Sequence, residues 1–379
     1  MKKSLYLIFH GRFPSEKAAS LFAAKSAEAF AAIDLDTTLL VPRRLGRSSE
    51  TAAKYYQIKN NFKTAYIPVL DLMAFPLFKK LTFFISFFSF ALCSAMYLLF
   101  RASKEAIIFS NESLPLYTAS LFFKNTFFEM HDFPESKYSF FKNFFRRIRW
   151  ILSHNKWKKE KLLKTFDIPE SKVILLPNTV EVKDFDIDIS KKDAREKLSL
   201  PLDQSIAVYT GHLYGWKGVD TLAEAALLLP QVLVVFVGGT PVDVLNFRKK
   251  YKDIRNVKIV GHRPHTEIPL WQKASDVLVL PNTAKEDISK YYTSPMKLFE
   301  YMASKRPIVA SRIPSVAEIV DDRTAMLVTP DNTEELAYGI NAILKDAVIS
   351  SKLVDAAFAR VKDNTWDNRA RKIVEFLEK

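Results

Sequence analysis

Residues 206–239 read IAVYTGHLYGWKGVDTLAEAALLLPQVLVVFVGG, and this stretch decides the fold. Two apolar runs, 206–209 and 232–237, predict buried strands, and the Ala- and Leu-rich segment 220–229 between them predicts a helix. A strand, a helix and a second apolar strand form a βαβ unit, in which the strands are parallel and covered on both faces. The stretch therefore predicts the start of a doubly wound parallel sheet.

The same alternation continues in both directions along the chain. Downstream, further strands are predicted at 257–260, 277–280, 308–310 and 325–328, with helices at 242–251, 267–274, 295–303 and 333–345. Upstream, strands are predicted at 5–9, 37–41, 64–70, 106–110, 126–130 and 173–176, with a helix over 15–32 that Ser15 caps and that has Glu16 in its first turn.

This pattern predicts an α/β protein with two doubly wound, Rossmann-like domains. We place them at 1–181 and 182–379, joined near the polar segment 177–188, and we place the terminal helix 365–378 as one that can pack back on the N-terminal domain. Ligands bind beyond the carboxyl ends of strands in open parallel sheets. Two such sheets that face each other predict a ligand cleft between the domains.

Composition supports a folded, reduced, intracellular protein. The chain has 379 residues, 56 Lys plus Arg against 42 Asp plus Glu, and 48% hydrophobic residues, which excludes disordered and collagen-like classes. The single cysteine, Cys93, excludes an internal disulfide, and no Cys/His cluster has the spacing of a zinc site. The basic and then apolar start lacks a small-residue cleavage site and predicts a first strand.

Two segments of the N-terminal half indicate contact with a membrane. Residues 81–100 carry no charge over 20 residues, and they predict either a helix of a soluble domain that is buried or dips into the membrane surface, which we favour, or a true span. Residues 137–164 hold 10 Lys or Arg and seven aromatic residues, a composition that suits an anionic membrane surface. No nucleic-acid-binding motif accompanies these charges, so we expect no nucleic-acid partner.

The segment YTSPMKLFEYMA, residues 292–303, predicts an anion site at a helix start. Ser294 is a favoured N-cap and Pro295 a favoured first helical residue, and the free amides and dipole of such a start bind phosphate. Lys297 adds positive charge, and Glu300 can accept hydrogen bonds from ligand hydroxyls. An ordinary capped helix with a surface Lys and Glu explains the same pattern.

The glycine-rich loop YTGHLYGWKG, residues 209–218, follows the first strand of the second domain. Its three glycines allow backbone amides to approach a ligand, and Lys217 provides a point charge for a diphosphate. The loop matches neither the P-loop nor the Rossmann fingerprint, so a glycine loop with a solvated lysine remains the alternative.

Taken together, these segments resemble the retaining glycosyltransferases of family 4, which have the GT-B fold. In the C-terminal half the resemblance is carried in chain order by 211–219, 237–239, 261–262, 274–281 and 294–303. In the N-terminal half it is carried by 12–18, 128–132 and 173–180. It extends over nearly the whole chain.

The resemblance implies catalytic roles for His131, Lys217 and Glu300: His131 approaches the sugar at its reacting carbon, Lys217 neutralises the donor diphosphate, and Glu300 lies near the nucleotide ribose. A structural histidine at a strand end is the alternative for His131. Nucleotide-sugar binding is implied for Gly11, Gly211, His212, Gly238, Gly239, His262, Arg263, Thr293, Ser294, Pro295, Met296 and Lys297.

Two positions depart from the family pattern. Tyr292 stands where the first glutamate of the E-x7-E motif is expected, so the sugar hydroxyls need another partner, such as Asp287 or the backbone near Thr293. His212 stands where the family has a phosphate-binding arginine, and histidine is a weaker phosphate anchor.

The expected function is that of a retaining hexosyltransferase in surface polysaccharide synthesis. The resemblance implies transfer from a UDP- or GDP-sugar to a glycan or lipid-linked acceptor, with no obligatory metal or other cofactor. We expect a cytoplasmic enzyme, peripheral at the inner face of the cell membrane. Two alternatives remain: a nucleotide-sugar 2-epimerase on the same fold, and a non-catalytic membrane-bound partner whose site has decayed.

Overall fold

The computed structural model describes residues 2–15, 17–45, 50–71 and 79–378. Glu16, predicted in the first turn of the first helix, lies outside the described residues. The chain divides into two compact units, one formed by 1–176 with 366–379 and the other by 177–365. The units are described separately below.

The first unit contains a seven-stranded parallel sheet with strand order β3-β2-β1-β4-β5-β6-β7. Its strands are β1 (Ser4–Ile8), β2 (Asp36–Pro42), β3 (Lys63–Ile67), β4 (Ile107–Ser110), β5 (Thr126–Met130), β6 (Trp150–Ser153) and β7 (Val173–Leu175). Its helices are α1 (Ala18–Ala32), α2 (Ala52–Tyr56), α3 (Lys79–Arg101), α4 (Ser113–Ser120), α5 (Tyr138–Arg147), α6 (Lys156–Phe166) and, from the end of the chain, α16 (Trp366–Leu377).

The second unit contains a six-stranded parallel sheet with strand order β10-β9-β8-β11-β12-β13. Its strands are β8 (Ser205–Thr210), β9 (Val232–Val237), β10 (Val257–Gly261), β11 (Val277–Leu280), β12 (Ile308–Ser311) and β13 (Met326–Val328). Its helices are α7 (Val182–Phe185), α8 (Lys191–Lys197), α9 (Val219–Ala225), α10 (Pro241–Lys250), α11 (Ile268–Ala274), α12 (Met296–Ala303), α13 (Pro314–Ala317), α14 (Thr333–Lys345) and α15 (Ala347–Val361).

Two doubly wound parallel sheets were predicted, and both are present. The central strands are apolar and buried on both faces, as β9 shows with five of its six residues buried. In each sheet the chain order reverses at the first strand, between β1 and β4 and between β8 and β11. Such a switch point opens a crevice at the carboxyl ends of the strands, and ligands bind there in this class of fold.

The first helix begins later than predicted, and Ser15 does not cap it. Helix α1 starts at Ala18 with Lys17 in the cap position and no side-chain cap. Ser15 is instead held by Tyr56, because its amide donates to the Tyr56 hydroxyl at 2.8 Å and its carbonyl accepts from the same hydroxyl at 2.8 Å. The capping prediction for Ser15 was therefore wrong, since a tertiary partner engages this residue.

The uncharged segment 81–100 forms most of helix α3. Within the described ranges, one helix, 80–101, is long and apolar enough to cross a membrane, and 33% of its most apolar window is buried in the protein. Its buried face, which includes Phe90 and Leu98, belongs to the core of the first unit. The opposite face exposes a stripe of large apolar side chains, namely Leu81, Phe84, Phe88, Leu92, Met96 and Phe100.

The basic segment 137–164 is amphipathic, and most of its aromatic side chains point inward. Phe144 and Phe145 of α5 are fully buried, and Trp150 of β6 is 7% exposed. The sequence predicted that this segment forms a surface rich in both basic and aromatic side chains. The basic side chains do lie at the surface, as Lys142 and Arg146 show. The rings are largely core residues.

Candidate active site

The loop after β8 packs tightly against its neighbours. Gly211 has φ +130°, and Gly238, after β9, has φ +125°. A Cβ on Gly238 would lie 2.3 Å from the Gly211 carbonyl oxygen, so the two glycines allow the ends of adjacent strands to touch. The structure thus brings together two of the residues for which the resemblance implies nucleotide-sugar binding.

Lys297, in the first turn of α12, reaches this loop. Its Nζ is enclosed and has no hydrogen-bond partner among the described residues, and it lies 3.9 Å from the ring centroid of Tyr209. A Cβ on Gly211 would lie 2.4 Å from that nitrogen. Burial, together with the charge of Lys217, holds the pKa of Lys297 well below its usual range. An enclosed amine without a hydrogen-bond partner is suited to receive an anion.

Lys217 adds a second amine to the same region. It lies in the short 3₁₀ turn Gly215–Lys217, with its Nζ 3.6 Å from the ring centroid of Trp216. Burial lowers the pKa of Lys217 to about 7. His212 stacks on Tyr214 with ring centroids 4.9 Å apart, and burial and the charge of Lys297 lower the pKa of His212. The loop is therefore lined by basic groups whose charged forms are disfavoured until an anion binds beside them.

The start of α12 differs from the prediction at its cap. The helix begins at Met296, Pro295 occupies the cap position, and no side chain caps it. The Ser294 hydroxyl instead accepts a hydrogen bond from the Asn178 amide at 3.3 Å, while the Ser294 carbonyl accepts from Asn178 Nδ2 at 2.5 Å. Ser294 is thus not the N-cap, because Asn178 holds it. The Leu298 amide donates to the Pro295 carbonyl at 3.0 Å, and because no side chain caps the helix, the amides of Met296 and Lys297 are available to an external acceptor.

Glu300 lies one turn further along α12 and has a partner that sequence reasoning missed. Its Oε1 lies 3.2 Å from Nε2 of His265, and its side chain is 12% exposed. His265 follows β10 in a short 3₁₀ turn. Nothing in the local sequence singled out this histidine, since its pairing with Glu300 spans 35 residues. Tyr292 ends a π-helical turn, Ile288–Tyr292, just before Thr293.

The other predicted nucleotide-binding residues follow β9 and β10. Gly239 has φ +92° and packs against Leu213, so it keeps the first loop and the second in contact. His262 is exposed. Arg263 donates from Nη1 to the His262 carbonyl at 2.8 Å, and its Nε lies 3.8 Å from Glu267. The guanidinium of Arg263 is therefore already engaged by its own segment.

In the first unit, His131 belongs to a cluster of four side chains, in which His131, His154 and Arg369 surround Glu129. The Oε1 atom of fully buried Glu129 lies 2.6 Å from Arg369 Nη2, 3.0 Å from His154 Nε2 and 3.3 Å from His131 Nε2. Potential metal-ligand atoms of Glu129 and the two histidines lie within 4.8 Å of one another. The guanidinium on the shared oxygen makes the cluster a charge-paired network and a poor fit for a cation.

Gly11, in the turn after β1, is constrained by Phe9, whose ring atom would lie 2.2 Å from a Cβ at position 11. Beside it, the side chain of the buried His10 contacts the Arg44 guanidinium, with Arg44 Nη2 3.0 Å from His10 Nε2. Burial and the charge of Arg44 lower the pKa of His10 to about 3, so this histidine is neutral. The His10 and Arg44 pair was not predicted, since it joins residues 34 apart in sequence.

Comparison with known proteins relates this architecture to sugar-transferring enzymes. Residues 204–346 match the family model described as "Glycosyl transferases group 1". An uncharacterized glycosyltransferase of Methanocaldococcus jannaschii is 26% identical over 237 residues, which cover 59% of this chain and 58% of that protein. A UDP-Gal:alpha-D-GlcNAc-diphosphoundecaprenol alpha-1,3-galactosyltransferase of Escherichia coli is 32% identical over 178 residues, 44% of this chain and 43% of that one.

Among solved structures, Anabaena HepE in complex with UDP and glucose superimposes with a TM-score of 0.74 at 17% identity, covering 100% of both chains. The curated relatives named above are matched over about half of their own length. The resemblance of residues 204–346 to group 1 glycosyltransferases and the GT-B fold class are thereby confirmed.

Proposed function

We propose that this group 1 glycosyltransferase transfers a sugar, with retention of configuration, from a nucleotide-sugar donor to a glycan or lipid-linked acceptor. The observation that carries the proposal is the enclosed, unpartnered Nζ of Lys297 beside the Gly211 loop and the uncapped start of α12. These groups lie at the switch point between β8 and β11, where doubly wound sheets bind nucleotides. A UDP- or GDP-sugar is the donor class that fits a site built for a diphosphate.

The proposed sugar transfer depends on positive charge at the diphosphate site. As the bond from the sugar to the phosphate breaks, the sugar carbon becomes oxocarbenium-like and negative charge gathers on the departing diphosphate. In this proposal Lys217, Lys297 and the uncapped first amides of α12 stabilise this charge as it develops; the charge of Lys217 already acts on Lys297 in the free protein. In this proposal the acceptor hydroxyl attacks from the face that the diphosphate leaves and gives its proton to the departing phosphate oxygen. The resemblance implies that His131 approaches the reacting carbon.

The acceptor is proposed to be held at the inner face of the cell membrane, where surface polysaccharides are built. The exposed apolar stripe of α3 supports this placement, because a contiguous row of large apolar side chains is costly in water and favourable at the acyl boundary. The basic segment begins beside this stripe, with Lys137 Nζ 5.7 Å from the ring centroid of Phe84. Such charges suit anionic headgroups. The polyprenol-linked substrate in the name of the Escherichia coli relative agrees with a lipid-linked acceptor.

The test is release of nucleoside diphosphate and transfer of labelled sugar from UDP- and GDP-sugars, with membrane extract as the acceptor source. The native protein should release nucleoside diphosphate and label the lipid-linked fraction, and Lys217→Ala should lower the rate roughly 100-fold. Lys352→Met, which removes an exposed lysine of α15, serves as the matched control and should leave the rate unchanged. Equal rates for the native protein and Lys217→Ala would refute the site. Isomerised donor without transfer would favour the epimerase alternative.

A further inference from the structure

Glu129 is a buried carboxylate that the transfer chemistry described above does not use. It lies one residue before the end of β5, its side chain is fully buried, and its Oε2 has no partner among the described residues. Three nitrogens converge on its Oε1, from His131, His154 and Arg369. One of these, Arg369 Nη2, donates a hydrogen bond to this oxygen, and the other two lie within 3.3 Å of it.

Backbone geometry explains why the two histidines meet there. Strands β5 and β6 are parallel neighbours, with Met130 opposite Ser153, so the next residues, His131 and His154, leave the sheet side by side. Their ring centroids are 5.0 Å apart and the rings are nearly perpendicular. The switch from strand to loop at this edge therefore places both rings over the Glu129 carboxylate.

The guanidinium comes from the far end of the chain. Helix α16 packs on α1, where Trp366 meets Phe22 with ring centroids 4.9 Å apart, and the Arg369 guanidinium lies 5.4 Å from the centroid of the same Phe22 ring. Phe22 also makes an edge contact with His131 at 4.9 Å. The C-terminal helix is thus linked to His131 by two routes: through the Phe22 ring, which contacts both Trp366 and His131, and through the Glu129 carboxylate, which lies beside both Arg369 and His131.

The charges of the cluster balance. Burial opposes ionisation of Glu129, but the charge of Arg369 and the hydrogen bonding of the two histidines hold its pKa well below the usual range. Burial lowers the pKa of His154 to about 3, so that ring is neutral. One carboxylate and one guanidinium therefore pair inside the protein, and His154 serves as a neutral neighbour. Breaking such a pair from one side leaves an uncompensated buried charge.

His131 differs from His154 because it is open to ligands. Its side chain is 30% exposed, while its Nε2 is enclosed and faces Glu129 at 3.3 Å. His131 and Glu129 also line one cavity together with Phe22, Ser26 and Asn111. A carboxylate behind one ring nitrogen holds a proton on that nitrogen, which leaves the other nitrogen free to accept a hydrogen bond.

We propose that Glu129 is a positioning residue, which fixes the orientation and tautomer of His131, and that Arg369 of the C-terminal helix holds this carboxylate in place. The inference rests on the proposed function, in which His131 approaches the reacting sugar. It makes the docking of α16 on the first unit a requirement for a correctly oriented His131. No residue of the donor-diphosphate site takes part in this arrangement.

The experiment is a double-mutant cycle on sugar transfer, with UDP affinity measured by calorimetry on the same variants. Glu129→Gln should lower kcat roughly 10- to 100-fold in the native background, because a misplaced ring loses its near-attack geometry. In the His131→Ala background the same change should have no further effect on kcat. The dissociation constant of UDP should change less than about twofold in each variant, because the nucleotide site lies in the other unit.

A second variant, at the arginine partner, serves as the control for loss of folding stability. Glu129→Gln leaves Arg369 unpaired, so the double variant Glu129→Gln with Arg369→Met should be more stable than either single variant, while kcat stays low. Asp276→Asn is the matched control, because it breaks a similar buried pair, with Arg195 Nη2 2.5 Å from Asp276 Oδ2, in the second unit. It should lower stability and leave the kcat of the folded protein unchanged.

Two results would overturn the proposal: an unchanged kcat in folded Glu129→Gln, or an equal loss of kcat with and without His131, which would indicate a purely structural carboxylate. Failure of the proposed function would look different, because the native protein would then neither bind UDP nor transfer sugar.

Discussion

Lys297 fills the space that a side chain at position 211 would need, since a Cβ on Gly211 would lie 2.4 Å from the lysine Nζ. The glycine and the lysine therefore form one unit of structure, although 86 positions separate them in sequence. The absent side chain at position 211 is what lets an amine enter the anion site.

This relationship predicts the effect of Gly211→Ala. The added methyl group meets Lys297 and also needs φ +130°, which L-residues rarely adopt, so the folded state should lose about 1–3 kcal/mol. UDP affinity should fall with it, as Lys297 is displaced. Gly215→Ala in the same loop is the control, because nothing lies within 4 Å of its Cβ. Chemical denaturation and calorimetry measure both effects, and equal behaviour of the two variants would contradict the packing described.

Replacing Lys297 should change the stability of the protein and its affinity for nucleotide in opposite directions. Its enclosed amine has no partner, so Lys297→Met should stabilise the free protein by about 1 kcal/mol while weakening nucleotide binding. The sign follows from linkage. Folding lowers the pKa of Lys297, so at any pH below the unfolded-state pKa of about 10.4 the unfolded chain binds the proton more readily, and the buried lysine destabilises the folded protein. The gain in Tm should therefore be larger at pH 7 than at pH 10. A destabilised Lys297→Met with intact UDP binding would contradict the assignment.

Donor binding should depend on pH through Lys217. Burial lowers the pKa of Lys217 to about 7 in the free protein, and a bound diphosphate restores the charged form. Binding therefore takes up a proton above pH 7, and affinity should fall by up to about tenfold per pH unit from there. UDP-glucose is the right probe, because its diphosphate does not titrate in this range. Calorimetry in buffers of different ionisation enthalpy measures the uptake, and Lys217→Met should reduce it, with the remainder due to Lys297.

The apolar stripe of α3 should carry membrane binding. The double variant Phe88→Glu with Leu92→Glu should reduce co-sedimentation with phosphatidylglycerol-containing vesicles at least about tenfold, because two apolar side chains leave the interface. Leu245→Glu is the control, since Leu245 is 68% exposed but belongs to the second unit. Equal vesicle binding by the native protein and the double variant would show that α3 does not contact lipid.

Much of this architecture could be predicted from local pattern. The alternation of apolar runs and helical segments was enough for both sheets, because strands buried on both faces are continuously apolar. Strand β6, Trp150–Ser153, was missed because it follows the aromatic and basic helix α5 without a Gly or Pro to mark its start. The spacing of Phe140, Phe141, Phe144 and Phe145 already indicated one buried helix face.

What could not be predicted depends on partners distant in sequence. Ser294 has the features of a cap, but Asn178, which lies 116 residues away, takes its hydroxyl. Glu129 and Arg369 are 240 residues apart, and no local pattern relates them. The predicted lysines of the anion site were local features, whereas the absence of a partner for Lys297 is a property of the packed structure.

The most direct test of the central claim is a crystal structure of the protein with UDP. Diphosphate oxygens should lie about 3 Å from the Nζ atoms of Lys217 and Lys297 and from the first amides of α12. UDP bound elsewhere, with both amines still unoccupied, would contradict the claim.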